Sequence, residues 1–235
     1  MNSRRRQFLE HYLERSPSSD QIKKSAASSD LSLFHGEGTA ASVVARTDLN
    51  GYSKWSREKS IADRVELLDE FFSVVAKEIY KHNAVYYRDE GDCVVTIFSD
   101  YFGNGSVANI LAFCKAVTNK YYSKGEITAK TTVGFGDLAF FQKTHEVASG
   151  DWSAEGEPFV VAARLENAVD SAQRIYFEEA TYDAVFSNIG PVANKGQYYY
   201  WGTERESIQV PGLGLPGGWM RVAYLEYKPG GRIQQ

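Results

Sequence analysis

Asp48 and Asp92 are the two residues on which chemistry can be built. Asp48 follows the β-branched run Ala-Ser-Val-Val-Ala-Arg-Thr (41–47) and precedes Leu49, Asn50, Gly51, Tyr52 and Ser53. Asp92 follows Asp89, Glu90 and Gly91 and opens Cys-Val-Val-Thr-Ile-Phe (93–98). Two carboxylates brought together at strand ends suit a hard divalent cation, which takes oxygen ligands, commonly one or two carboxylates with substrate phosphates completing the shell. The loop Asn50, Gly51, Tyr52, Ser53 can turn backbone N–H groups toward phosphate, and a following helix adds its positive end. Aspartate also caps strands and turns in proteins of every kind, so neither residue carries this reading alone.

The elements that must position the pair follow from periodicity. The run 41–47 reads as a buried strand that ends at Asp48. From Ile61 the apolar positions Ile61, Val65, Leu68, Phe72, Val75 and Ile79 alternate steps of four and three, which places them on one face of a long helix entered from the loop. Residues 84–88 and 92–98 are two β-rich runs separated by Asp89, Glu90 and Gly91, the spacing of a tight hairpin, with Asp92 beginning the second strand.

A helix over 107–122 follows, with Ile110, Phe113, Cys114, Val117 and Tyr121 inward. Residues 127–141 then read as a strand interrupted by glycine, and 158–168 as a helix with Pro158 in its first turn. Residues 174–178 read as a strand, 179–187 as a short helix, and 198–227 as two closing strands joined by the loop 211–218. Strands alternate with helices, but the hairpin makes the sheet mixed. The expected fold class is an α/β sandwich with helices over one face of the sheet. Tyr198, Tyr199, Tyr200 and Trp201 read as strand packing or a subunit contact.

Composition limits what the site can serve. With 235 residues the chain is expected to form one domain with small appendages. Lys and Arg number 26 against 30 Asp and Glu, a formal charge of −4 that offers no general attraction to nucleic acid or to an anionic membrane surface. Cys93 and Cys114 lie far apart without metal-ligand spacing, so no disulfide framework or zinc cluster is read from them. Residues 3–15 read as a short amphipathic helix with Phe8, Tyr12 and Leu13 on one side, followed by a Ser-rich tether; residues 1–40 are appendage and 41–235 the main domain. Arg4, Arg5 and Arg6 precede no apolar stretch of the kind a signal peptide needs, and no apolar run approaches the roughly 20 residues that span a bilayer. A cytoplasmic location is the expectation. None of His11, His35, His82 and His145 sits beside a motif, and each reads as a solvated surface residue.

Three stretches together resemble the catalytic domain of class III nucleotidyl cyclases, over roughly residues 41–227. VVARTDLNGYS is similar to that family's first metal motif, an aspartate followed by an aliphatic residue, a variable one, Gly, an aromatic residue and Thr or Ser. YYRDEGDCVVTIF is similar to the second, in which Gly-Asp opens a strand after a hairpin. EGEPFVVAARLENA is similar to the helix that in bacterial members runs Gly, any, Pro, Val, Asn, any, Ala, Ala, Arg, Leu, Glu. The order and separation of the three agree as well.

The resemblance implies a mainly antiparallel mixed sheet with helices, the ferredoxin-like palm of the cyclases. It implies that Asp48 and Asp92 bind two Mg²⁺ or Mn²⁺ ions per site, that the Leu49 carbonyl is a further ligand, and that backbone from Asn50 to Tyr52 holds phosphate. Arg164 matches the arginine that meets the reacting α-phosphate, supplied across a homodimer interface. The implied reaction is attack of a ribose 3′-hydroxyl on the α-phosphorus of a nucleoside triphosphate, releasing pyrophosphate and a 3′,5′-cyclic nucleotide. The sequence departs from the family in the loop 211–218, which has no evident match for the basic residues that help hold phosphate, and at three single positions. Val160 replaces the usual helix asparagine, Ser153 an aspartate that often reads adenine, and Arg88 a lysine that often reads the base. Arg88, with Tyr52 near the pocket, resembles the arrangement in the bacterial Pycsar cyclases, which make cyclic UMP or cyclic CMP in antiphage defence. An adenylate or guanylate cyclase, and an inactive relative that only binds nucleotide or a partner, are the alternatives.

Overall fold

The β-rich runs form one sheet in the computed structural model, which describes residues 37–120, 127–142, 152–169, 173–187 and 199–229. The strands are β1 (Gly38–Asn50), β2 (Val85–Glu90), β3 (Cys93–Ser99), β4 (Thr128–Gln142), β5 (Trp152–Glu155), β6 (Arg174–Glu178), β7 (Tyr199–Gln209) and β8 (Trp219–Pro229). They pair in the order β2-β3-β1-β4-β6-β8-β7, with β5 added alongside β4. Every pairing is antiparallel except β4 with β6. The helices are the four-residue α1 (Tyr52–Trp55), α2 (Ile61–Lys81), α3 (Val107–Lys120), α4 (Glu157–Ala168) and the short α5 (Glu179–Thr181), which runs into a π-turn over Tyr182–Phe186. The expected mixed α/β sheet is present.

Helices cover both faces, however, and not one as the sequence suggested. Odd-numbered β1 residues Val43, Ala45 and Leu49 join a core with Phe71, Val75 and Ile79 of α2 and Ile110, Phe113 and Val117 of α3. Val44 lies in a separate cluster with Val95, Ile97, Leu138 and Ala162 of α4. Residues on one strand alternate between faces, so the even-numbered side chains Val44, Arg46 and Asp48 all look toward α4. Close approach of α4 requires glycine: a Cβ on Gly134 of β4 would lie 2.1 Å from the Pro158 carbonyl oxygen. On the other face, the Thr131 hydroxyl lies 3.1 Å from that of Thr47 and 3.0 Å from that of Thr118, a buried polar tie between sheet and α3.

Several sequence boundaries shift. Strand β1 starts at Gly38 and continues through Asp48 to Asn50. Its loop leads into α1 and a 3₁₀ turn over Ser56–Glu58 before α2 begins, with Ser60 and Asp63 forming a capping box. The expected apolar face of α2 is buried only in part: Ile61 is 77% and Val65 55% exposed, and the fully buried residues of the helix are Phe71, Val75, Ala76 and Ile79. His82 is not a solvated surface residue; its Nε2 lies 3.1 Å from Glu78 Oε2 at the end of α2, with its side chain 12% exposed. The helix at residues 3–15, the tether, His11, His35 and His145 lie outside the described residues, as do the side chains of Tyr199, Tyr200 and Trp201.

Candidate active site

Asp48 and Asp92 come together. Asp48 pairs across the ladder with Cys93, the residue after Asp92, and the Leu49 N–H donates to the Asp92 carbonyl oxygen at 3.2 Å. Asp92 does not begin β3 as expected but sits in the two-residue turn between β2 and β3, after Gly91 at φ 70°, a left-handed conformation that favours glycine. In an extended strand the N–H and C=O of one residue point to the same side, so the Leu49 carbonyl also faces the Asp92 turn. Gly51, at φ 86°, then bends the chain into α1, and its carbonyl accepts from the Trp55 N–H at 3.0 Å. Asn50 and the Gly51–Tyr52 backbone therefore adjoin the acidic pair. The Tyr52 ring packs against the α2–α3 core, 6.0 Å from the Trp55 ring, which leaves backbone as the part of this residue nearest the turn.

The charges around the pair are mixed in sign. Arg46, nearly buried, donates from Nε to Glu166 of α4 at 2.5 Å and places an Nη 2.8 Å from Glu90 of β2. Glu90 also pairs with Arg88, whose half-exposed guanidinium lies 5.2 Å from the Tyr87 ring centre. Lys130, opposite Asp48 on β4, has Nζ 3.7 Å from Asp48 Oδ2. Burial pushes the Asp48 carboxyl up to about 7, and the charges of Asp92 and Glu166 push the same way against Lys130 and Arg46. Asp92 is raised too, by burial and by the charge of Glu166.

The sign of the resulting pH dependence is fixed. Between the ordinary aspartate value and about 7 the folded metal-free protein binds more protons than the unfolded chain, so its stability falls as pH rises through that window. The span corresponds to a loss of roughly 4 kcal/mol. Thermal midpoints measured from pH 4 to 8 without metal are expected to fall, and Asp48→Asn is expected to flatten the slope. An equal slope in both proteins would contradict this.

Two mutually repelling, half-desolvated carboxylates beside a main-chain carbonyl are the oxygen donors a hard divalent cation takes, and the cation would relieve their repulsion. Among the described residues no group of three or more His, Cys, Asp and Glu forms a metal cage, so remaining ligands would come from backbone and substrate. The residues present fit such an ion.

Arg164 stands apart from the pair. It is exposed on α4, and its guanidinium lies against Gly212 in the β7–β8 loop: a Cβ added at Gly212 would be 2.8 Å from Arg164 Cζ. Strand β8 lies three places from β1, about 14 Å across the sheet. Glu166, two residues on, is the α4 side chain that faces the acidic pair. Val160 is 48% exposed, whereas Ser153 is buried, its Oγ 3.4 Å from the Tyr87 hydroxyl, which donates to the Ala154 carbonyl at 3.0 Å. Sequence reading missed Arg46, Glu90, Lys130 and Glu166. The available signal was a cation inside each of two strands, Arg46 and Lys130, because a buried charge demands partners.

This fold is that of nucleotidyl cyclase catalytic domains. The adenylyl cyclase CyaB from P. aeruginosa is matched with TM-score 0.62 and 16% identity, over 85% of this chain and 99% of that one. The guanylate cyclase domain of RhGC from Catenaria anguillulae, in complex with GTP, is matched with TM-score 0.62 and 14% identity, over 81% and 99%. The catalytic core of a rhodopsin-guanylyl cyclase with converted specificity, in complex with ATPalphaS, is matched with TM-score 0.63 and 13% identity, over 83% and 100%. No protein-family model matches the chain, and no curated protein sequence does. Among the described residues no helix is long and apolar enough to cross a membrane.

Proposed function

We propose that this protein is a nucleotidyl cyclase that converts a nucleoside triphosphate, UTP ahead of CTP, to its 3′,5′-cyclic nucleotide and pyrophosphate. The observation that carries the reading is the convergence of Asp48 and Asp92 at the ends of neighbouring strands, bound through Leu49 and Asp92 backbone. Asp48, Asp92 and the Leu49 carbonyl hold two Mg²⁺ or Mn²⁺ ions. Bound there, the ions supply a lowered pKa for the ribose 3′-hydroxyl and neutralisation of the triphosphate. The Asn50–Tyr52 backbone receives phosphate, with Gly51 setting the turn. The 3′-oxygen forms a bond to the α-phosphorus, the bond from that phosphorus to the bridging oxygen breaks, pyrophosphate leaves and the hydroxyl proton passes to solvent. A guanidinium at the α-phosphate stabilises the charge that develops on its oxygens.

Arg164 of a second copy of this chain provides that guanidinium. Its position against the β7–β8 loop, three strands from its own acidic pair, supports a homodimer with shared sites. Arg88 reads the base: Glu90 engages its Nε, which leaves the outer edge of the fork to donate to a pyrimidine carbonyl. A role in antiphage signalling accompanies the pyrimidine assignment. The second reading, a purine cyclase, is favoured by the GTP and ATPalphaS complexes of two fold neighbours.

A competition experiment separates them. Offered equal ATP, GTP, CTP and UTP with Mn²⁺, the protein is expected to consume UTP first, and Arg88→Lys, which keeps charge and loses the fork, to erode that preference. Preferred consumption of ATP or GTP would contradict the base assignment.

A further inference from the structure

Lys130 serves two partners with one ammonium. It is 7% exposed, and its Nζ donates to the main-chain carbonyls of Glu166 at 3.1 Å and Val169 at 3.0 Å. Those carbonyls belong to the last turn and C-cap of α4, where intrahelical donors run out and the helix dipole is negative. An ammonium has three N–H bonds to give, and two are accounted for by these carbonyls. On its remaining side stands Asp48, with Oδ2 at 3.7 Å. An uncharged donor could bond the same carbonyls and would forgo only the modest gain of a cation at the helix C-terminus. A cation is called for by what else is there: the charges of Asp92 and Glu166 bear on the buried Asp48 carboxylate, that of Glu166 bears on Asp92 as well, and the Lys130 charge opposes them at both aspartates. A buried ammonium and a buried acidic pair, each costly alone, stabilise one another.

We propose that Lys130 is a built-in counter-ion. Its ammonium stands where a divalent cation would otherwise be needed to balance Asp48, and it ties the acidic pair to the C-terminal end of the helix that carries Arg164. The balancing role holds for the metal-free protein. The consequence for metal affinity rests on the proposed reading of Asp48 and Asp92 as ligands: an arriving dication must share Asp48 with a like charge, so Lys130 weakens its binding and keeps release easy.

The test uses the full chain as wild type, Lys130→Gln, Asp48→Asn and the double variant. Glutamine keeps a donor for the α4 carbonyls and removes the charge. Thermal midpoints are compared without metal at pH 8, and Mn²⁺ affinity is read from the spin-resonance signal of the free aquo ion. Lys130→Gln is expected to lower the midpoint by several degrees in the wild-type background and by much less with Asp48→Asn present. It is also expected to tighten Mn²⁺ binding by about tenfold or more, the scale of an ammonium a few ångströms from a dication at a water-like dielectric. Equal losses in the two backgrounds would reduce Lys130 to a helix cap and overturn the proposal, as would unchanged or weaker Mn²⁺ binding. Absence of Mn²⁺ binding in wild type, with the coupling to Asp48 intact, would refute the metal reading and support the counter-ion. If Lys130→Gln alone does not fold, rescue by Asp48→Asn supports the pairing and failure of rescue overturns it.

Discussion

Asp48→Asn is expected to lower cyclic-nucleotide formation by on the order of a thousandfold while the protein stays folded. The substitution keeps size and removes the charge that a divalent ion requires. It should not unfold the chain, because burial, Asp92 and Glu166 already make ionisation of Asp48 unfavourable in the metal-free fold. The corresponding change at Asp92 is expected to act alike, since the turn that carries it is fixed by backbone, through Leu49 N–H and Gly91, and not by its carboxylate. Circular dichroism and a thermal melt establish folding; product analysis establishes activity. Retained activity in folded Asp48→Asn would remove the carboxylate pair from the chemistry.

The second large effect is complementation. Asp48→Ala and Arg164→Ala are each expected to be inactive alone, and a mixture allowed to exchange subunits should recover up to about a quarter of wild-type activity, because one site of a mixed dimer then has every group. The expectation comes from geometry: Arg164 lies against Gly212 beside β8, while Asp48 lies at the end of β1 on the far side of β4 and β6. An arginine so placed is turned away from the acidic pair of its own chain, and α4, which carries it, is held by Gly134 beneath Pro158 and by Lys130 at its other end. Stable variants that exchange and stay inactive would instead point to a site within one chain.

How far the sequence led is clear from particular residues. Strand alternation and the i, i+3, i+4 pattern were sufficient for β4, α4 and β6, whose observed bounds differ from the expected ones by a residue or so. They failed at Ile61 and Val65, because periodicity describes a face and does not say how much of it is covered. They failed again in assigning the helices to one side. A strand buried on both faces reads as a near-continuous apolar run, and Val43, Val44 and Ala45 are such a run. Asp48 and Asp92 were visible because each follows or precedes a turn-forming glycine. Their meeting depends on the β1–β3 register, and so does the network of Arg46, Glu90, Lys130 and Glu166, which joins four elements remote in sequence.

Purified protein incubated separately with ATP, GTP, CTP and UTP in the presence of Mn²⁺, with products resolved by mass, bears most directly on the proposed reaction. The expected result is a nucleoside 3′,5′-cyclic monophosphate and an equal amount of pyrophosphate, foremost from UTP. No cyclic product from any of the four, in protein that still binds nucleotide, would contradict catalysis and leave a nucleotide-binding relative of the cyclases.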